Sequence, residues 1–306
     1  MRLDLALIRG HPGLSRRKAQ DVIEKGQVTV DGTTVFDKGR DVPDSATLVW
    51  DPNKKSIRRA RISLPVLYED DTVLVVDKPA GLLAVPTSPE ATSEDTALAR
   101  VQDYVRHLRP RKPYVGVVHR IDRDTSGALA FALSPAARPP MRELFREHRI
   151  ERRYAALVQG DPRGERGRID LPIHDAYEGG RRRVARPGEP SRPALTLWTV
   201  VERFAGGALL DVELLTGRQH QIRVHLAHVG TPIVGDPVYG RGRAGPEGPP
   251  AAPRQMLHAR LLAFTHPLSG RPVRAESPLP ADFQAAIAAL RRLAGGRGGG
   301  GRPRRG

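Results

Sequence analysis

Val118-His119-Arg120-Ile121-Asp122-Arg123-Asp124-Thr125-Ser126-Gly127 is the stretch on which the reading of this chain turns. An apolar run at 115–118, interrupted by Gly116, precedes it, and a second at 128–133 follows. Short apolar runs bounded by turn residues predict buried strands. The segment between them is dense in groups that ionise or hydrogen-bond, and Ser126-Gly127 reads as a turn that closes it. Two cations, Arg120 and Arg123, flank Asp122. Positive neighbours favour the ionised carboxylate. An ionised carboxylate on a loop held by strands on both sides has the makings of a nucleophile. The same residues also fit a polar turn whose charges pair at the surface, and the loop alone leaves both readings open.

The whole chain narrows the choice. Its 306 residues suffice for a large core and a second domain. A formal charge of +16 points to a polyanionic partner, of which nucleic acid is the commonest. The chain has no Cys, which excludes disulfides, thiol nucleophiles and Cys-ligated zinc. That absence suits a reducing compartment, so a cytoplasmic protein is expected. Met1-Arg2-Leu3-Asp4 lacks the apolar core of a signal peptide. No apolar run approaches the ~20 residues of a membrane span, so no membrane partner is expected.

Residues 1–50 read as a small α/β unit. Leu3, Leu5, Leu7 and Ile8 open it, and Ser15 is placed to cap a helix running through Glu24-Lys25, with Gly26 just past its end. Val28 and Val30 lead into Asp31-Gly32, a strong hairpin signal. Arg16, Arg17 and Lys18 put positive charge on the first turn of the helix, where phosphate binds well. Residues 51–63, with Lys54-Lys55 and Arg58-Arg59, read as a basic linker.

The main body is expected over 64–293. Residues 73–76 predict a central strand. Ser93 is the expected cap of a helix whose apolar face is Ala97, Leu98, Val101, Tyr104, Val105 and Leu108. A short helix over 139–148 should bury Met141, Leu144 and Phe145. Residues 153–158 predict a strand, and 197–201 with 208–215 an antiparallel pair. The basic stretch 169–193 reads as a long hairpin or as a flexible insertion. A helix over about 219–229 would bury Ile222, Leu226 and Val229 and present Gln219, His220 and Arg223 on another side. Residues 257–264 predict a strand and 281–293 a terminal helix. The Pro/Gly/Ala-rich stretch 244–253 and the Arg/Gly tail 294–306 have no core-forming pattern, so disorder is expected in both.

His119 to Gly127 resembles the signature of the RluA-type pseudouridine synthases, with Ile121 where Leu is usual. Further stretches agree in order: Leu67-Tyr68-Glu69-Asp70, Asp77-Lys78-Pro79-Ala80-Gly81, Tyr154-Ala155-Ala156-Leu157-Val158-Gln159-Gly160, Thr216-Gly217-Arg218-Gln219-His220-Gln221-Ile222-Arg223-Val224-His225-Leu226, Gly235-Asp236-Pro237-Val238-Tyr239-Gly240 and Leu257-His258-Ala259-Arg260. The resemblance covers roughly residues 65–283. Residues 1–50 resemble an S4 RNA-binding domain. Ser191-Arg192-Pro193-Ala194-Leu195-Thr196 departs from the family, which usually carries Gly-Lys before this Ala-x-Thr.

The resemblance implies an α+β protein of the pseudouridine synthase fold: a mixed, mostly antiparallel sheet with flanking helices and a central cleft, plus the small S4-like α/β domain. It implies Asp122 as nucleophile and general base, Arg223 in a salt bridge with it, and Tyr154 stacked on the uracil. It places His119, Arg120, Arg218, His220 and Gln221 around the substrate, Arg120 entering the base stack as the uridine flips out. A free phenol titrates near 10, so Tyr154 is expected to pack first and move protons second. Breaking and remaking a base–sugar bond involves no redox step, so no cofactor is expected. His220 and His225 are five apart, unlike a zinc-binding helix pair, so no metal is expected. The implied partner is RNA bound by a monomer; the S4-like domain favours 23S ribosomal RNA, with transfer RNA as the alternative. A non-catalytic S4-type RNA-binding protein is the rival class, but Asp122, Tyr154 and Arg223 are all present. An acid–base glycosidase using Asp122 and Asp124 fits poorly beside Arg123.

Overall fold

The computed structural model describes residues 1–35, 38–54, 63–88, 90–91, 93–109, 113–240 and 252–295. Most of the expected linker (Lys55, Arg58 and Arg59 included), most of the 244–253 insertion and the tail from 296 lie outside the described residues.

The N-terminal unit comprises α1 (Leu3–Gly10), α2 (Arg16–Glu24), β1 (Val28–Val30), β2 (Thr33–Thr34) and β3 (Leu48–Trp50). Ser15 caps α2, its hydroxyl accepting the Lys18 N–H at 3.2 Å. Asp31 and Gly32 take φ of 50° and 78°, the left-handed pair that a two-residue β1–β2 hairpin needs. The unit owns its core: Leu3, Leu7, Ala19, Val22, Ile23, Val28 and Val30. Asp4 is fully buried between the helices and accepts from Arg2, Arg16 and Gln20. Burial opposes its charge, yet these donors pull its carboxyl down to about 2.

The main sheet contains β4 (Val66–Glu69), β5 (Val73–Lys78), β6 (Gly116–Val117), β7 (Ser126–Ala132), β8 (Glu151–Gln159) and β9 (Arg166–Asp170). After the hairpin strands β10 (Ile173–His174) and β11 (Ser191–Arg192) it continues with β12 (Leu195–Phe204), β13 (Gly207–Leu214), β14 (Leu257–Thr265) and β15 (Pro272–Glu276). Helices α3 (Ala97–Leu108), α4 (Arg138–Arg146), α5 (Gln221–His228) and α6 (Ala281–Gly295) accompany it. The strand order is β4-β5-β7-β14-β8-β13-β12-β9, with β15 on β14 and β6 on β7. Every pairing is antiparallel except β7 with β14. That parallel join lies mid-sheet, and the signature loop opens beside it.

Several expectations are corrected. Residues 73–76 are not central: β5 is second from the edge. Its unbroken apolar run reflects cover on both faces, with Val73 and Val75 in one core cluster and Leu74 and Val76 in another. Thr96, not Ser93, caps α3, its hydroxyl accepting the Ala99 N–H at 3.0 Å; Ser93 lies three residues too early. Ser126-Gly127 is not a turn but the start of β7. Gly127 has φ 114°, and a Cβ there would come within 2.2 Å of the Ala259 carbonyl oxygen. The parallel join therefore requires glycine. Phe145 is half-buried and Val229 exposed, because α5 ends at His228. The 169–193 stretch forms an ordered hairpin, β10 pairing with β11.

Candidate active site

A cleft of about 430 Å³ opens beside the signature loop. Its lining includes Arg120, Asp122, Arg152, Tyr154, Arg218 and Arg223. The loop is braced from three directions. Lys78, fully buried at the end of β5, donates its ammonium to the carbonyls of Pro79, Leu82 and Arg123 at 2.7–2.9 Å. Burial pulls that ammonium down to about 7 against the pull of Asp124 and Asp122. Arg254 donates to the Asp124 carbonyl at 3.1 Å while gripping Asp282 of α6 at 2.7 and 3.0 Å. Gln255 reaches the Thr125 hydroxyl at 3.0 Å. Asp122 is the loop carboxylate that lines the cleft, with 23 % of its side chain accessible.

Arg223, on α5 and 101 residues further along the chain, donates to Asp122 at 3.1 Å. Its other edge grips Asp236 at 2.7 and 3.0 Å. Burial works against the guanidinium's charge, but Asp236 and Asp122 outweigh it and hold its pKa above the ordinary range. Asp236 is braced in turn by the N–H groups of Val238 and Tyr239. Burial opposes its ionisation, and these donors with Arg223 still keep its pKa low. Tyr239 lies under Arg223, the guanidinium carbon 5.0 Å from the ring centre. Its hydroxyl shares a hydrogen bond with His220 Nδ1 at 2.9 Å and accepts the Arg182 N–H at 2.7 Å.

Tyr154 rises from β8 with only 7 % exposure. Burial pushes its phenol above the ordinary range; Arg152 opposes and Asp122 adds to the shift. A phenol so placed is a poor base at neutral pH, so packing is its first capability.

The other expected substrate residues divide. Arg120 is exposed at the cleft rim, and Arg218 lines the wall, anchored by its Nε to the Pro193 carbonyl at 3.0 Å. The departing segment at Pro193 thus supports a cleft arginine, while its Arg192 pairs with Asp175. His220 lies 4.0 Å from Asp122 but is not helical: it caps α5 in the left-handed region at φ 58°. Burial lowers its pKa, with Asp122 opposing and Arg223 assisting. His119 accepts the Ala130 N–H on Nε2 at 2.9 Å, filling the ladder gap between β6 and β14 on the edge of β7. Burial, with Arg152 nearby, drives its imidazole to about 3. It also stacks on Phe145 at 4.3 Å. Gln221 lines the cleft and also braces its wall. Its amide oxygen accepts from Thr216 and Arg218, and its NH2 donates to Leu195 and Thr196. In His119 one ring nitrogen is taken by a backbone N–H, and in Gln221 the amide is taken by two backbone groups and two threonine hydroxyls.

On the N-terminal unit, Arg16 leans onto Asp4 at 3.3 Å and Lys18 onto Asp21 at 3.8 Å. Arg17 is exposed, with no ion pair among the described residues. Sequence reasoning missed Asp236, Tyr239, Lys78 and Arg254. The first three stand inside recognised motifs, and that was the available signal. Among the described residues, no cluster of three or more His, Asp or Glu is placed to hold a metal ion, and no helix is long and apolar enough to cross a membrane.

A single carboxylate, held by one buried arginine in a cleft ringed with cations, suits an enzyme acting on a nucleic acid. The chain belongs to the RNA pseudouridylate synthase family, whose model matches residues 72–228; an S4 domain model matches residues 1–47. It is therefore an RNA pseudouridine synthase, an isomerase, with an RNA-binding S4 domain. Among its relatives is a "Ribosomal large subunit pseudouridine synthase D" of Nitrosomonas europaea, 37% identical over 96% of this chain and 85% of that protein. A protein of the same name from Xanthomonas campestris is 37% identical over 95% of this chain and 89% of that one. The solved structure of human RNA pseudouridylate synthase domain containing 1 superposes with a TM-score of 0.54 at 26% identity, over 75% of this chain and 95% of that one. Human RNA pseudouridylate synthase domain containing 4 gives a TM-score of 0.60 at 23% identity, over 74% and 93%, and shares the fold. The α+β architecture expected from the sequence is the one found.

Proposed function

We propose that this enzyme isomerises specific uridines of large-subunit ribosomal RNA, with Asp122 as the group that acts on the sugar. The observation carrying this reading is the linked set Asp122–Arg223–Asp236. Arg223 is 5% exposed, so it does not reach out to a phosphate. Its charge is committed to fixing two carboxylates, and only Asp122 of the two opens into the cleft. Tyr154 forms the wall against the base. Arg120 at the rim enters the stack as the base flips out, a step that costs about a few kcal/mol and least in loops. The S4-like unit of residues 1–50, joined by the basic linker to the body at 64–293, adds affinity through Arg17, Lys18 and the more constrained Arg16. The names carried by the bacterial relatives support the ribosomal target.

The test uses Asp122→Asn and RNA labelled with tritium at uridine C5, whose release follows turnover. The parent should release tritium from a 23S ribosomal RNA transcript. The variant should bind that RNA and release none. Turnover by the variant within about tenfold of the parent, at most about 1.4 kcal/mol of barrier, would remove Asp122 from its role. Carbodiimide mapping in cells lacking the gene locates the uridine. Loss confined to transfer RNA would transfer the proposal to that substrate.

A further inference from the structure

Among the described residues, Arg152 is a buried charge without a counter-ion. It sits on β8 with 6 % exposure and lines the cleft. One terminal nitrogen donates to the Leu214 carbonyl at 2.9 Å. Its Nε is buried and has no hydrogen-bond partner among the described residues. No carboxylate among them pairs with it. Phe145 lies 6.0 Å beneath the guanidinium, and Arg218 adds repulsion rather than relief. The other deeply buried arginines among the described residues are paired: Arg223 with Asp236 and Asp122, and Arg254 with Asp282. Buried charges are costly unless paired. A guanidinium left in this state calls for an anion that arrives with the substrate.

Position decides which anion. Arg152 and Tyr154 are two apart on one strand, so their side chains share a face. Tyr154 is the wall against the base. The exposed cations Arg120, Arg142 and Arg146 occupy the rim, where backbone phosphates pass. Arg152 lies deep, beside the ring.

We propose that Arg152 is a catalytic residue that neutralises the detached uracil, an assignment that rests on the functional reading above. When the C1′–N1 bond breaks, its electron pair leaves with N1 and spreads over O2 and O4. The ring is then an anion held only by the cleft. With the Asp122 carboxylate bonded to C1′ in place of N1, the ring turns, C5 bonds to C1′ as the Asp122–C1′ pair returns to the carboxylate, and the proton lost from C5 is matched by one gained at N1, so atoms and charge balance. A fixed guanidinium facing the ring stabilises the species between the two bonds, and a preorganised donor of this kind is worth roughly 10²–10³ in rate.

The experiment compares Arg152→Met and Arg152→Lys with the parent on two 23S ribosomal RNA transcripts, one made with uridine and one with 5-fluorouridine. Cleavage of the base–sugar bond is followed in single turnover by mass spectrometry of digested RNA. Fluorine makes the ring more acidic and its anion less in need of help. With uridine, Arg152→Met should slow cleavage about a hundredfold. With 5-fluorouridine the loss should shrink to about tenfold or less, and Arg152→Lys should retain part of the rate on both. A structural or phosphate-binding role would move both substrates equally. Equal losses in a variant with the parent's thermal melt, or no loss at all, would overturn the assignment. If Arg152→Met does not fold, the same ratio is read from Arg152→Lys. A parent that forms no pseudouridine in either transcript would instead refute the functional reading, and this assignment with it.

Discussion

Asp236→Asn tests the part of the site that the sequence hid. Asp236 has no accessible side-chain surface. Its Oδ1 accepts from Arg223 and from the N–H groups of Val238 and Tyr239, while Oδ2 accepts from Arg223 Nε at 2.7 Å. An Asn in this place keeps its oxygen at the three-donor position, which turns its NH2 towards the Arg223 Nε–H. One charge-assisted bond is lost and two donors face each other. Removing one partner of a buried pair costs roughly 3–5 kcal/mol. Asp122 retains part of the charge balance, so about 3 kcal/mol is expected at the low end of that range. At about 2–4 °C per kcal/mol for a chain of this size, the melting temperature should fall by roughly 6–12 °C. Arg223 is then free to swing onto Asp122, and a displacement near 1 Å costs about a hundredfold in turnover. RNA affinity should hold, since no rim cation is touched. A thermal melt and tritium release at saturating RNA read the two effects. A melt within about 2 °C of the parent together with undiminished turnover would show that Asp236 does not hold Arg223.

Lys78→Met leaves the carbonyls of Pro79, Leu82 and Arg123 without their donor; at about 1–3 kcal/mol per unsatisfied buried group, both the melt and turnover should drop, and a fully active, equally stable variant would discount the brace. Asp4 has a folded pKa near 2, below its ordinary 3.8. The unfolded chain binds the extra proton between these values, so the contribution is complete above about 3.8 and disappears as pH falls through about 2. Asp4→Asn should flatten the acid-unfolding curve of the full chain in that window, read by near-ultraviolet circular dichroism, and a curve unchanged in shape would argue against it. Deleting residues 1–50 should weaken RNA binding and flatten its salt dependence by about 0.7 for each phosphate that the S4 domain neutralises on a single strand. Saturating turnover on a short substrate should stay the same, and its collapse in a folded truncation would show that the S4 domain helps to build the active site.

Local pattern carried the elements. The apolar runs around the signature loop, the Ser15 cap, the Asp31-Gly32 hairpin and the stripe of α3 could be read because each depends on residues within a few positions of one another. The motif resemblance supplied Asp122, Tyr154 and Arg223, and the structure brings the first and last to 3.1 Å across 101 residues. What lay beyond the sequence is what depends on through-space neighbours. An apolar run announces burial on two faces but not strand order, so β5 read as central. A Ser-Gly pair announces freedom of φ but not the carbonyl of Ala259 pressed against Gly127. His119 and Gln221 looked like ligands because sequence shows a side chain's polar atoms and not the neighbours, backbone and threonine hydroxyl alike, that bond to them. Arg152 looked like one more positive charge in a basic chain, and only the folded protein shows it buried with no anion to meet it among the described residues. Charge type is written in one dimension; its partner, its solvent and its strain are settled only when distant segments are packed together.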